Sequence, residues 1–225
     1  MNPRFVHLRL HTEYSLVDGT VRIKKLMQTA AEQGMPALAL TDQSNLFGMV
    51  KFYRAAMNAG IKPIVGVDAW VRPAVETEPP SRMVLLCQNN EGYQNLTQLV
   101  SRSYLDGQHG GIPMLEVDWI RQLNGGLIAL SGGREGDVGR ALLAGNQMQA
   151  EGLLQAWQAI FPDRYYMELQ RTGREGEEEY LHAAVSLCLA TQTPVVATND
   201  VRFLQQSDFA AHEVRVCIHD SRTLD

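Results

Sequence analysis

The stretch FVHLRLHTEYSLVDGT, residues 5–20, carries His7, Arg9 and His11 at every second position. In an extended strand alternate side chains share a face about 6.6 Å apart, near enough for neighbouring groups to converge on one or two ions. Two imidazoles on one face are the beginning of a metal site. A guanidinium set between them opposes one, because arginine stays protonated and has no lone pair to donate. Further along the chain Glu13, Asp42, Asp68, Asn89, Ser131, Glu168 and Asp200 add ligand-type oxygens. Carboxylates combined with histidine suit zinc or manganese, and such an ion can turn bound water into a nucleophile.

These residues need elements to carry them. Short apolar runs predict strands at 5–10, 36–41, 62–71, 82–87, 126–131, 164–169 and 194–199. Segments of helical period fall at 21–33, 44–58, 92–104, 147–160 and 176–191, with Ser44, Asn90 and Thr172 as opening caps and Gly34 and Gly60 as stops. The strands at 62–71 and 82–87 are joined without a helix. A mostly repeating βα order implies a parallel sheet with helices outside, either open or closed into a barrel. Nearly every predicted strand delivers a ligand-type residue at or near its C-terminal end. A closed barrel gathers all such ends at one mouth, whereas an open sheet gathers only those near its switch point. The expectation is an α/β barrel of about seven strands, residues 1–225 forming a single domain. Taken singly, Asp42 or Asp200 reads equally well as the cap of the next helix. His11, Asp42, Asp68 and Asp200 taken together favour a site.

Composition narrows the function classes. A chain of 225 residues, 45% hydrophobic and 20% charged, reads as a soluble globular protein. Its net charge of −5 excludes a phosphate-binding surface spread over the whole module, so any DNA contact is local. Cys87, Cys188 and Cys217 are odd in number and far apart, which suits core thiols in a reducing compartment and excludes a CxxC pair. No apolar run approaches the roughly 18 residues of a membrane span, and a cytoplasmic location is expected. The run SGGREGDVGR (131–140) lacks the Lys-Ser/Thr of a phosphate-binding P-loop and reads as a turn. In EGEEEY (175–180) the carboxylates favour a helix start. His182, His212 and His219 lie in helical patterns and read as packing or surface residues, while RPAVETEPPSR (72–82) and DGQHGGIP (106–113) are loops.

The segments FVHLRLHTEYSLVDG, PALALTDQSNLFGMVKFY, GIKPIVGVDAWV, NNEGYQNLTQLVSRSY, GLIALSGGREGDVGR and PVVATNDVRFLQQSDFAAHEVRVCIHD form a series. In order and spacing they resemble the N-terminal polymerase-and-histidinol-phosphatase (PHP) domain of the bacterial DNA polymerase III alpha subunits, the family-C replicative polymerases, over essentially the whole chain. The resemblance implies a distorted (β/α)7 TIM-like barrel. Intact members hold two or three metal ions at the barrel mouth and hydrolyse phosphoesters.

Against that pattern the site is degenerate. The first motif, H-x-H-T, aligns with Arg9-Leu10-His11-Thr12, and T-D-H stands as Thr41-Asp42-Gln43. The glutamate expected in the third strand matches Asp68, and the histidine opening the fourth falls on Arg82. A ligand cysteine falls on Gly133, a histidine near Thr172, and the closing N-D-x-H reads Asn199-Asp200-Val201-Arg202. The vestigial metal set is thus His11, Asp42, Asp68 and Asp200. Arg9, Arg82 and Arg202 put fixed positive charge where dications would sit, and are expected to pair with those carboxylates. At most one weakly bound zinc or manganese ion is expected.

Two functions follow from the resemblance. In one, the chain is a non-catalytic scaffold at the start of a longer DNA-directed DNA polymerase, supporting the polymerase core and binding the proofreading exonuclease subunit. DNA would then be met through the holoenzyme, and the magnesium of nucleotidyl transfer would belong to domains outside this sequence. In the other, a residual metal site cleaves a phosphoester or pyrophosphate.

Overall fold

The structure, a computed structural model, describes residues 5–224. In chain order its helices and strands are α1 (Ile23–Glu32), β1 (Ala37–Leu40), α2 (Met49–Asn58), β2 (Lys62–Val71), β3 (Ser81–Cys87), α3 (Asn90–Leu105), β4 (Gln108–His109), β5 (Ile112–Leu115), α4 (Val117–Gln122), β6 (Leu127–Leu130), α5 (Asp137–Leu143), α6 (Gln147–Ile160), β7 (Tyr165–Gln170), α7 (Glu177–Thr191), β8 (Val195–Thr198) and α8 (Phe209–Asp220). The strands form one sheet in the order β4-β5-β2-β3-β6-β7-β8, with β1 paired to β2. The chain divides into two compact units, one of the residues up to Val67 with those from Asp200 onward, the other Asp68–Asn199.

In the first unit β1 runs parallel to the start of β2, Ala37 opposite Lys62 and Leu40 opposite Val65. Helix α1 buries Ile23, Leu26, Met27 and Ala30, a spacing that makes one apolar stripe. That stripe joins Leu38 and Leu40 of β1, Phe52 and Ala56 of α2, and Leu10 in one core. The run 5–10, expected as a full strand, is recorded only as a bridge from Leu10 to Val201. Its backbone is nonetheless paired, since Ala39 and Thr41 donate to the carbonyls of His7 and Leu10 at 2.9 Å each. The ladder breaks where the Leu10 N–H donates to the Thr41 hydroxyl at 2.8 Å instead of to a carbonyl.

In the second unit β6, β7 and β8 are successive parallel neighbours. Strand β3 pairs antiparallel with β6, a departure from the all-parallel expectation. The β2–β3 link has no helix and is shorter than the dozen or more residues that a parallel crossover needs, so β3 enters the sheet reversed. The glycine loop at 106–113 contains the small antiparallel pair β4–β5, in which Gln108 faces Pro113 and His109 faces Ile112. Helix α2 begins at Met49, later than its apolar period suggested, because Ser44 takes a left-handed φ of 54° and cannot cap it. Helix α3 is capped by Asn89, which accepts from the Gly92 N–H at 2.9 Å, rather than by Asn90.

Candidate functional site

In the first unit the groups expected at the site form a buried chain of charges. Arg9, 1% exposed, brings Nε to 3.2 Å from Oδ1 of Asp200. Arg202 donates to both oxygens of the same carboxylate at 3.1–3.2 Å. Its other terminal nitrogen forms an ion pair with Asp18. Asp18 in turn lies 2.9 Å from Nδ1 of His11, which also meets Ser15 Oγ at 3.0 Å. Serine and aspartate converge on one ring nitrogen here, whereas a nucleophilic triad needs them on opposite nitrogens. Burial and the nearby charge of Arg9 pull the Arg202 pKa down to about 9, which still leaves it cationic at neutral pH.

Local backbone geometry makes this chain possible. Asp200 holds a left-handed φ of 47°, a conformation that aspartate tolerates better than most residues. Asp18 precedes Gly19, where a Cβ would sit 1.8 Å from the Thr12 carbonyl oxygen, so only glycine lets the turn fold back against the motif. Asp18 and Ser15 were not singled out from the sequence. The Asp-Gly pair seven residues beyond His11 was the signal for the first of them.

Asp42 behaves differently from the expectation that the carboxylates pair with arginine. It accepts from the Thr12 N–H at 2.6 Å and from the Thr12 hydroxyl at 2.9 and 3.0 Å. Burial raises its pKa, opposed by those hydrogen bonds and by His11. Asp42 therefore fastens the HT motif to the end of β1. Glu13 lies near the surface and pairs with Lys51 at 3.7 Å. His7 packs edge-on against Phe5, with ring centroids 5.0 Å apart.

In the second unit Asp68 on β2 and Arg82 on β3 approach to 2.6 Å, with side chains 0% and 3% exposed. The Arg82 guanidinium also lies 4.3 Å above the ring of Trp70, two residues along from Asp68 and thus on the same strand face. Trp70 is a partner that sequence reasoning missed, although the D-x-W spacing on a strand announces it. Glu168 takes hydrogen bonds from Gln170, at 3.1 Å, and from Thr198. Ser131 ties β6 to β7 by accepting from the Glu168 N–H at 2.9 Å. Gly133, standing at the cysteine position, has φ 61°, and a Cβ there would come within 3.2 Å of Gln170. Thr172 is not the cap of α7. Its own N–H and hydroxyl go to Glu177, which also receives the Gly173 and Arg174 N–H groups at 2.7 and 3.1 Å.

A metal test can be made on the donors of the first unit. A ring nitrogen of His11 and an oxygen of Asp200 lie within 4.8 Å of each other, a span that one ion could bridge. Both oxygens of Asp200 nevertheless already receive guanidinium N–H groups. An ion held there would draw on His11 and share the Asp200 carboxylate with the two arginines, whereas a cluster of two or three ions needs several neutral imidazoles or anions around each ion.

Fold and residues together define a mixed α/β fold of the PHP type with one eight-stranded sheet. The PHP domain family model matches residues 7–172, and the chain belongs to that family. It is 55% identical over 225 residues to the DNA polymerase III subunit alpha of Pseudomonas aeruginosa, covering 100% of this chain and 19% of that protein. The Escherichia coli K12 protein of the same name is 54% identical over 223 residues, with 99% and 19% covered. The chain thus spans about a fifth of the length of these relatives. Among solved structures, an amidohydrolase from Chromobacterium violaceum aligns with TM-score 0.56 at 15% identity, covering 93% of this chain and 96% of that one. A proposed metal-dependent phosphoesterase from Bifidobacterium adolescentis aligns with TM-score 0.52 at 12% identity, covering 96% and 98%. No helix among the described residues is long and apolar enough to cross a membrane.

Proposed function

We propose that this chain is the N-terminal PHP domain of a replicative DNA polymerase III alpha subunit and serves there as a catalytically silent scaffold. The parent chain carries out DNA-directed DNA synthesis in the cytoplasm, with magnesium held by domains outside this sequence. The domain supports the polymerase core, binds the proofreading exonuclease subunit, and meets DNA only through the assembled holoenzyme. Identity of 55% to a polymerase alpha subunit along the whole chain supports the first part.

The observation that carries the scaffold reading is arginine seated on the surviving carboxylates, Arg9 and Arg202 on Asp200 and Arg82 on Asp68. Guanidinium–carboxylate bonds take up the oxygens that ions would use, and they do structural work instead. In the first unit they fasten the N-terminal segment, the turn at Asp18 and the segment after β8 to one another. In the second they join two strands. His11, Asp42, Asp68 and Asp200 are, on this reading, the remains of a ligand set.

A residual phosphoesterase is the second reading, favoured by the closeness of His11 to Asp200. Metal content separates the two. Protein purified without chelator or tag nickel is equilibrated with zinc and manganese, desalted and measured by plasma mass spectrometry. Substoichiometric metal is the expected result. Two or more retained ions per chain would overturn the scaffold reading and call for phosphoesterase assays on the wild type and on His11→Ala.

A further inference from the structure

Helix α2 turns apolar side chains outward as well as inward. Phe52 and Ala56 are buried in the core of the first unit. Phe47, just before the helix, and Val50, Tyr53 and Met57 on it are 64%, 55%, 47% and 56% exposed. Steps of three and four residues place Val50, Tyr53 and Met57 along one outer face of α2, with Phe47 just ahead of its first turn. A surface helix normally shows polar residues there, and a contiguous exposed apolar stripe of this kind marks a contact surface.

Cations border the stripe. Lys51 and Arg54 are both exposed on α2. Lys51 is already held in place. Its Nζ is 3.2 Å from the Tyr14 hydroxyl, 3.7 Å from Glu13 and 5.3 Å from the centre of the Tyr14 ring. Arg54 makes no ion pair among the described residues. An anchored cation beside an open one, alongside four apolar anchors, is preorganised for a partner that brings the opposite charge.

We propose that this face of α2 is a docking surface for an acidic amphipathic segment of a partner protein, with apolar side chains at helical spacing and carboxylates along one edge. Nucleic acid fits less well, because two cations, one of them already shared with Glu13, supply little counterion release. A second copy of the chain would bring Lys51 and Arg54 against their own equivalents. The inference rests on the exonuclease-docking role proposed above and names the surface that performs it.

The test uses the full-length chain and the purified exonuclease subunit of the same holoenzyme. Two surface variants are compared with wild type, Val50→Glu/Met57→Glu to break the apolar stripe and Lys51→Glu/Arg54→Glu to reverse its charge. All four positions are exposed, so melting temperatures are expected to match wild type. Each variant is expected to weaken exonuclease binding at least tenfold by calorimetry, and wild-type affinity is expected to fall with added salt. Wild-type affinity in both variants would overturn the assignment of the surface while leaving the docking role standing. Lowered melting temperatures with unchanged binding would mean that the parent chain itself covers the stripe, which also overturns it. No binding by wild type would overturn the docking role and the surface together.

Discussion

Arg9 and Asp200 stand 3.2 Å apart from opposite ends of the sequence, each with its side chain 1% exposed. Asp200 also receives Arg202, which pairs with Asp18 besides, so Asp200 is the carboxylate shared by two guanidiniums that would otherwise repel across a buried space. Asp200→Asn should therefore cost more than the loss of a hydrogen bond. Breaking a buried pair from one side leaves uncompensated charge, and the expected destabilisation is about 3–5 kcal/mol. Adding Arg9→Met to that variant should return part of the loss, since one stranded cation is then gone. Thermal unfolding of the three proteins checks both, and a single-variant loss below about 1 kcal/mol would count against structural ion pairing.

Arg82 makes a similar case with different chemistry. Its planar group meets Asp68 at 2.6 Å and lies 4.3 Å over Trp70, so lysine cannot reproduce both contacts. Arg82→Lys is expected to destabilise the protein even though charge is kept. In a double-mutant cycle of Arg82→Gln and Asp68→Asn, residues in direct contact should show a coupling of about 0.5–3 kcal/mol. Coupling indistinguishable from zero would mean that the pair is incidental.

His7 gives the pH prediction. Burial lowers its pKa below 6.5, because the charged imidazolium is poorly solvated there. The unfolded chain then binds the proton more readily than the folded one, so stability rises with pH through that window. His7's contribution is fully present above the unfolded value and is lost as pH falls through the folded value. His7→Phe should flatten the acid side of a stability profile measured by urea unfolding between pH 5 and 7. An unchanged slope would show that other groups set it.

Legibility in the sequence followed the range of the interactions involved. Helix α6 and the buried stripe of α1 were readable because 3.6-residue periodicity is a local signal. The arginines at 9, 82 and 202 were readable as departures from a family pattern, and their partners Asp200 and Asp68 followed from charge. Asp18 was not, because its role comes from a turn that brings it back to His11 and Arg202. Asp42 was credited with an arginine and binds Thr12 instead, since the main-chain N–H of Thr12 is nearer at hand and carries its own need for an acceptor. The broken ladder at Leu10 was equally hidden, for it turns on one threonine hydroxyl in a neighbouring segment.

Gly19 tests whether that turn is needed for the buried charge chain. A methyl group there would lie 1.8 Å from the Thr12 carbonyl oxygen, so Gly19→Ala must push apart the Asp18 turn and the motif containing His11. The expected outcome is a lost Asp18–His11 hydrogen bond, read as a changed imidazole tautomer balance in nitrogen-15 spectra, with a destabilisation of several kcal/mol, beyond the ~1–3 typical of overpacking. Gly34→Ala is the control. Gly34 has φ 66° and nothing within 4 Å of the place an added methyl would occupy, so it should cost only the left-handed conformation, roughly 1–2 kcal/mol, and leave His11 untouched. If both variants lose the same stability and neither alters the His11 signal, the close approach at Gly19 does not set the geometry of the charge chain.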